Sequence, residues 1–72
     1  MSTDTLLNIT VNGDARRVSA GATIAGMLRE LGIEPKRVAV ERNLAIVPKS
    51  TLEDVTVEDG DQFEIVHFVG GG

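Results

Sequence analysis

Apolar and polar positions alternate from Leu6 to Val11, with Leu7, Ile9 and Val11 on one side and Asn8 and Thr10 on the other. That period of two belongs to a half-buried strand. Asn12-Gly13 follows, the residue pair best suited to the two positive φ angles of a tight hairpin turn. Ala15 to Ser19 is therefore predicted to return as a second strand, with Val18 inward. The period then changes. Ile24, Met27, Leu28 and Leu31 fall at i, i+3, i+4 and i+7, one stripe of a helix of about two turns. Thr23 is placed to cap its start, Gly32 to end it, and Pro35 to keep it from resuming. Gly26 lies inside the helix at a cost of about 1 kcal/mol relative to alanine, which predicts a close approach to the sheet.

Alternation resumes at Val38 to Arg42, with Val38 and Val40 inward. Asn43 turns the chain, and Leu44 to Val47 forms a short fourth strand ended by Pro48, a residue confined to sheet edges. Residues 50–54 read as an irregular crossover with a single helical turn, anchored by Val55 or Val57. Glu58-Asp59-Gly60-Asp61 reads as a tight, solvated turn, since its acids lack the register of a calcium loop. In the last strand, Gln62 to Val69, one face carries Phe63, Ile65, His67 and Val69, and the other carries Glu64, Val66 and Phe68. The expected core is Leu7, Ile9, Val11, Val18, Ile24, Met27, Leu28, Leu31, Val38, Val40, Ile46, Val55, Phe63 and Ile65. These elements predict an α+β domain, a mixed sheet of about five strands with one main helix packed on one face.

Composition narrows the chemistry. With 72 residues, the chain is one domain whose core leaves little room for an enclosed catalytic pocket. Seven Lys and Arg stand against 11 Asp and Glu, a formal charge of −4, which argues against nucleic acid. Cysteine is absent and there is one histidine. This removes a disulfide, a thiol nucleophile and a metal site built on these ligands. No apolar run reaches membrane-spanning length, and the N-terminus lacks the pattern of a signal peptide, so a cytoplasmic location and no membrane partner are expected. Arg16 and Arg17 read as charges that blunt an edge strand. His67 has no nucleophile or acid arranged beside it and is expected to be structural or exposed. No Ser-His-Asp set, His-Glu pair or phosphate loop occurs, so the chain is not expected to be an enzyme.

The remaining chemistry is at the end of the chain. The last strand runs into Gly70-Gly71-Gly72 with no polar linker. Residues 1–69 are expected to form the folded domain and 70–72 a flexible glycine tail. Three extended residues reach roughly 10 Å, and without Cβ atoms they fit a channel that side chains would block. The candidate reactive group is the Gly72 carboxylate, ionised above ~3.5. Val66, Phe68 and Val69 beside the tail are candidate partner-docking residues, because Val66 and Phe68 point away from the helix.

The order β-β-α-β-β, crossover, β is similar to the β-grasp order of ubiquitin-like proteins. Asp59-Gly60-Asp61, the run Phe63-Glu64-Ile65-Val66-His67-Phe68-Val69 and the glycine end resemble the ThiS family, the sulfur carriers of thiamin biosynthesis. Asn12-Gly13, Thr23-Ile24, Leu28 to Gly32 and Ala45-Ile46-Val47-Pro48-Lys49 extend the resemblance over nearly the whole chain. It implies that a ThiF-like adenylyltransferase activates the Gly72 carboxylate, that a sulfur donor such as a cysteine desulfurase supplies sulfur, and that a ThiG-like thiazole synthase receives it. ATP and Mg would belong to the partner, with no cofactor held by this chain. The alternatives are a sulfur carrier of another pathway, such as the small subunit of molybdopterin synthase or a carrier for cysteine synthesis, and a non-reactive β-grasp binding module.

Overall fold

The computed structural model describes residues 5–68; Val69 and the glycine tail, Gly70, Gly71 and Gly72, lie outside them. The sheet has five strands: β1 (Leu6–Val11), β2 (Asp14–Ser19), β3 (Val38–Arg42), β4 (Ala45–Val47) and β5 (Gln62–His67). Their spatial order is β2-β1-β5-β3-β4. β5 runs parallel to β1 and antiparallel to β3, so the last strand in sequence is the middle strand in space. One helix, α1 (Ile24–Glu30), covers one face. Short 3₁₀ turns at Pro35–Arg37 and Lys49–Thr51 flank β3 and β4. Among the described residues no helix is long and apolar enough to cross a membrane.

The helix is short, so its ends must be satisfied from outside. The Thr23 side chain accepts the Gly26 N–H at 3.0 Å, as an N-cap should. Ile24 N–H donates to the Val55 carbonyl and Ala25 N–H to the Leu52 carbonyl, each at 2.8 Å. The first-turn donors are thus consumed by the crossover segment, which is how that irregular stretch comes to be fixed. Gly26 serves the cap rather than the predicted approach to the sheet. A Cβ there would sit 3.3 Å from the Thr23 hydroxyl and meets no strand atom within 4 Å. At the other end Gly32 takes φ +80. Ile33 N–H reaches back to Leu28 O at 2.8 Å and Gly32 N–H to Arg29 O at 3.0 Å, the paired bonds of a Schellman stop. Arg29 and Glu53 form an ion pair that links the helix to the crossover. The hydrogen bond to Arg29 holds the Glu53 carboxyl below its usual range, but the pair is exposed and adds little stability.

The core joins Ile9, Val11, Val18, Val38, Val40, Phe63 and Ile65 of the sheet to Ile24, Ala25, Met27 and Leu28 of the helix. Leu52 and Val57 close it from the crossover, Val57 being the fully buried anchor. Leu7, Leu31 and Val55 are only partly buried. Ile46, expected inside, is 78% exposed. Register gives the reason: Ala45 pairs with Arg42 and Val47 with Val40, so Ile46, opposite Glu41, faces outward. Leu44 belongs to the turn and not to β4. Asn43 and Leu44 take φ 51 and 72, a two-residue turn with a leucine where glycine is favoured.

Residues 58–61 make the expected turn, and Glu58, Asp59 and Gly60 are exposed as expected, but Asp61 is not solvated. Asp61 is 5% exposed. Its Oδ2 accepts from Arg42 Nε at 3.0 Å and from the Glu58 N–H at 2.8 Å, and its Oδ1 accepts from Asn43 Nδ2 at 3.2 Å. Asn43 Oδ1 in turn accepts the Gln62 N–H at 2.9 Å. This network fastens the start of β5 to the β3–β4 turn.

Two stability predictions follow from these contacts. Asp61→Asn sets an amide N–H₂ against a donor, and Asn43 cannot flip without releasing Gln62. A loss of about 2 kcal/mol is expected, seen as a fall in Tm of roughly 10 °C. An unchanged Tm would refute the network's role. Leu44→Gly should raise stability by about 0.5–1 kcal/mol in urea unfolding, because relief of the left-handed leucine exceeds the entropy glycine adds to the unfolded chain. Leu44 is 88% exposed, so little packing is lost.

Candidate functional site

The sheet face away from α1 carries the candidate site. β5 alternates as its sequence dictates: Phe63 and Ile65 enter the core, while Val66 and Phe68 stand on the outer face, 64% and 58% exposed. Val66 lies opposite Ala39 of β3. With Ile46 on β4, these side chains make an apolar outer face on the β5-β3-β4 half of the sheet. Glu41 and Glu64 also lie directly opposite each other in the register. Two like charges at one cross-strand position oppose folding locally, and they present negative charge beside apolar surface. Sequence reasoning found Val66 and Phe68 but placed Ile46 inside and did not see the paired glutamates. Only the register discloses either.

The direction in which β5 leaves the sheet is fixed on two sides. Phe68 N–H donates to the Arg37 carbonyl at 2.9 Å, carrying the ladder one residue past the strand. Lys49 Nζ stands 4.5 Å from the centroid of the Phe68 ring, a cation–π distance, and the same ammonium donates to the Lys36 carbonyl at 2.8 Å. The two 3₁₀ turns therefore meet around Phe68. His67 is exposed on the other face. Among the described residues no three His, Cys, Asp or Glu side chains are grouped to hold a metal ion. An open hollow of about 280 Å³ beside Asn8, Ile9 and the edge arginines Arg16 and Arg17 lies over the β1–β2 hairpin, away from β5. The remaining sequence-predicted residues, Val69, Gly70, Gly71 and Gly72, follow Phe68 beyond the described part.

Comparison with known proteins addresses the whole chain. The family model of the ThiS family matches residues 9–72. A thiazole synthase of Paramagnetospirillum magneticum is 52% identical over 66 residues, which are 92% of this chain and 20% of that protein. The chain spans about one fifth of the length of the thiazole synthases it matches. The sulfur carrier protein ThiS of Bacillus subtilis is 48% identical over 50 residues, 69% of this chain and 76% of that one. The crystal structure of the thiamine biosynthesis protein ThiS from Geobacter metallireducens aligns with TM-score 0.75 and 32% identity, covering 92% of this chain and 100% of that chain. Five strands in β-grasp order, one helix, an exposed apolar approach to the glycine end and a family match running to residue 72 agree, and the chain belongs to the ThiS family of ubiquitin-like sulfur carriers.

Proposed function

We propose that this chain carries sulfur on its own C-terminus for formation of the thiazole ring in thiamin biosynthesis. The observation that carries the reading is the placement of Val66 and Phe68, exposed on the outer face of the central strand and followed at once in sequence by Val69-Gly70-Gly71-Gly72. A partner that covers this face has the tail at hand. Val66, Phe68 and Val69 dock, Gly70 and Gly71 pass through a narrow channel, and the Gly72 carboxylate reacts. The acidic pair Glu41 and Glu64 suits a basic partner surface and favours fast association.

A carboxylate is a poor acyl donor, so the first step is activation. One Gly72 oxygen attacks the α-phosphorus of ATP and pyrophosphate departs, leaving an acyl-adenylate. ATP and its Mg ion are held by a ThiF-like adenylyltransferase. A persulfide on the sulfur donor, loaded by an enzyme such as a cysteine desulfurase, attacks the acyl carbon and expels AMP. A thiol of the donor then attacks the far sulfur of the acyl disulfide, leaving a disulfide on the donor and a thiocarboxylate on Gly72. The thiocarboxylate is the sulfur nucleophile given to a ThiG-like thiazole synthase. Thiazole synthases that contain a segment of this kind support that acceptor, since joining two domains raises their effective concentration when they work together. The carrier itself is a co-substrate and not a catalyst.

Incubation with ATP, the adenylyltransferase of the same source and a sulfur donor should raise the intact mass by the difference between sulfur and oxygen, located in the Gly72 peptide. Deleting Gly72 or adding a residue after it should abolish that shift and leave Tm nearly unchanged. A normal thiocarboxylate yield from either variant contradicts the terminal-carboxylate mechanism. Phe68→Ala should weaken binding to the adenylyltransferase by about tenfold or more, as expected of an aromatic anchor, with the fold retained. Unchanged affinity in a titration removes Phe68 from the docking surface.

A further inference from the structure

The backbone groups of β5 alternate between its two edges. Phe68 donates to Arg37 and Asn43 donates to Gln62, which fixes residues 62, 64, 66 and 68 as the ones turned toward β3. Phe63, Ile65 and His67 turn their N–H and C=O groups to the opposite edge. There the Phe63 carbonyl accepts from the Asn12 N–H at 2.8 Å. The Asn12 side chain then does the work of one more strand residue: its Oδ1 accepts the Ile65 N–H at 2.7 Å and its Nδ2 donates to the Ile65 carbonyl at 3.1 Å. Pairing of β1 with β5 stops at Phe63, because Asn12 and Gly13 turn the chain back into β2. The next N–H and C=O along this edge, those of His67, have no hydrogen-bond partner among the described residues.

We infer that the His67 backbone is a strand-addition site, which an extended segment of the adenylating partner occupies in line with β1 beyond the hairpin turn. The inference rests on the reading that a partner encloses the tail. Water satisfies the His67 groups in the free protein. Enclosure of a tail that starts three residues later brings the partner's wall to this edge, where a dehydrated backbone group without a partner is costly. A peptide group is the simplest chemistry that supplies both an acceptor and a donor there. Asn12 shows this one position earlier, offering the edge an amide whose oxygen and N–H₂ are spaced like those of a peptide. Such pairing supplies affinity through main-chain bonds, while Val66 and Phe68 on the adjoining outer face supply side-chain specificity.

Amide-resolved hydrogen exchange on the full chain, free and bound to the adenylyltransferase of the same source, tests the inference. In the free protein His67 should exchange at least about tenfold faster than Val66 and Phe68, whose N–H groups face β3. In the complex His67 should slow by at least about tenfold. A bound partner that adenylates Gly72 while His67 keeps its free rate overturns strand addition and leaves the carrier mechanism standing. A partner that neither binds nor adenylates overturns the carrier reading, and this inference with it.

Discussion

The fold depends on inserting the last strand of the chain between the first and the third. Among the described strands β5 pairs on both edges with strands distant in sequence, β1 and β3, and its central place makes the sheet continuous. Such long-range pairing closes large loops before any contact forms, so its ends need specific fastening. At its start, Asp61 gathers Arg42, Asn43 and the Glu58 N–H. Midway, the Asn12 side chain prolongs the short parallel ladder. At its exit, Arg37 and Lys49 hold Phe68. The same insertion brings the chain, as far as Phe68, out along the middle strand of the sheet.

A domain this small spends most of its apolar residues on one core between helix and sheet and leaves only a few, such as Ile46, Val66 and Phe68, on its surface. In the proposed reading the chemistry lies where no core is needed, at a terminus, and the catalytic groups belong to a partner. That division is consistent with an outer face on the β5-β3-β4 half that presents Ile46, Val66 and Phe68 beside Glu41 and Glu64. It also gives a use to two local features that oppose folding. The Glu41–Glu64 pair repels across the ladder, and Leu44 occupies a left-handed turn position while exposed to water. Both lie on or beside the outer face that the proposed docking uses, and local stability is commonly given up at functional sites.

Most of the fold was legible because its signals are local. Alternation marked β1, β3 and β5, the apolar stripe marked α1, and Asn12-Gly13, Thr23 and Gly32 marked turns and caps whose geometry the structure reproduces. What failed was set by contacts across the sequence. β4 is three apolar residues, Ala45, Ile46 and Val47, with no alternation to choose a face, and only pairing with β3 turns Ile46 outward. Asp61 looks like any turn acid until Arg42, 19 residues away, is seen beside it. The part of Asn12 that bonds Ile65, 53 residues on, is invisible in a turn dipeptide. Of the candidate site, Val66 and Phe68 were readable from the period of β5, whereas the acidic pair and the edge at His67 required the register.

Oxygen tracing is the most direct measure of the central claim. The carrier is prepared with heavy oxygen in the Gly72 carboxylate and turned over with ATP, the adenylyltransferase and the sulfur donor. If the carboxylate attacks the α-phosphorus and sulfur then displaces AMP at the acyl carbon, each AMP released carries one heavy oxygen. Sulfur transfer to the carrier with AMP free of label would contradict the account.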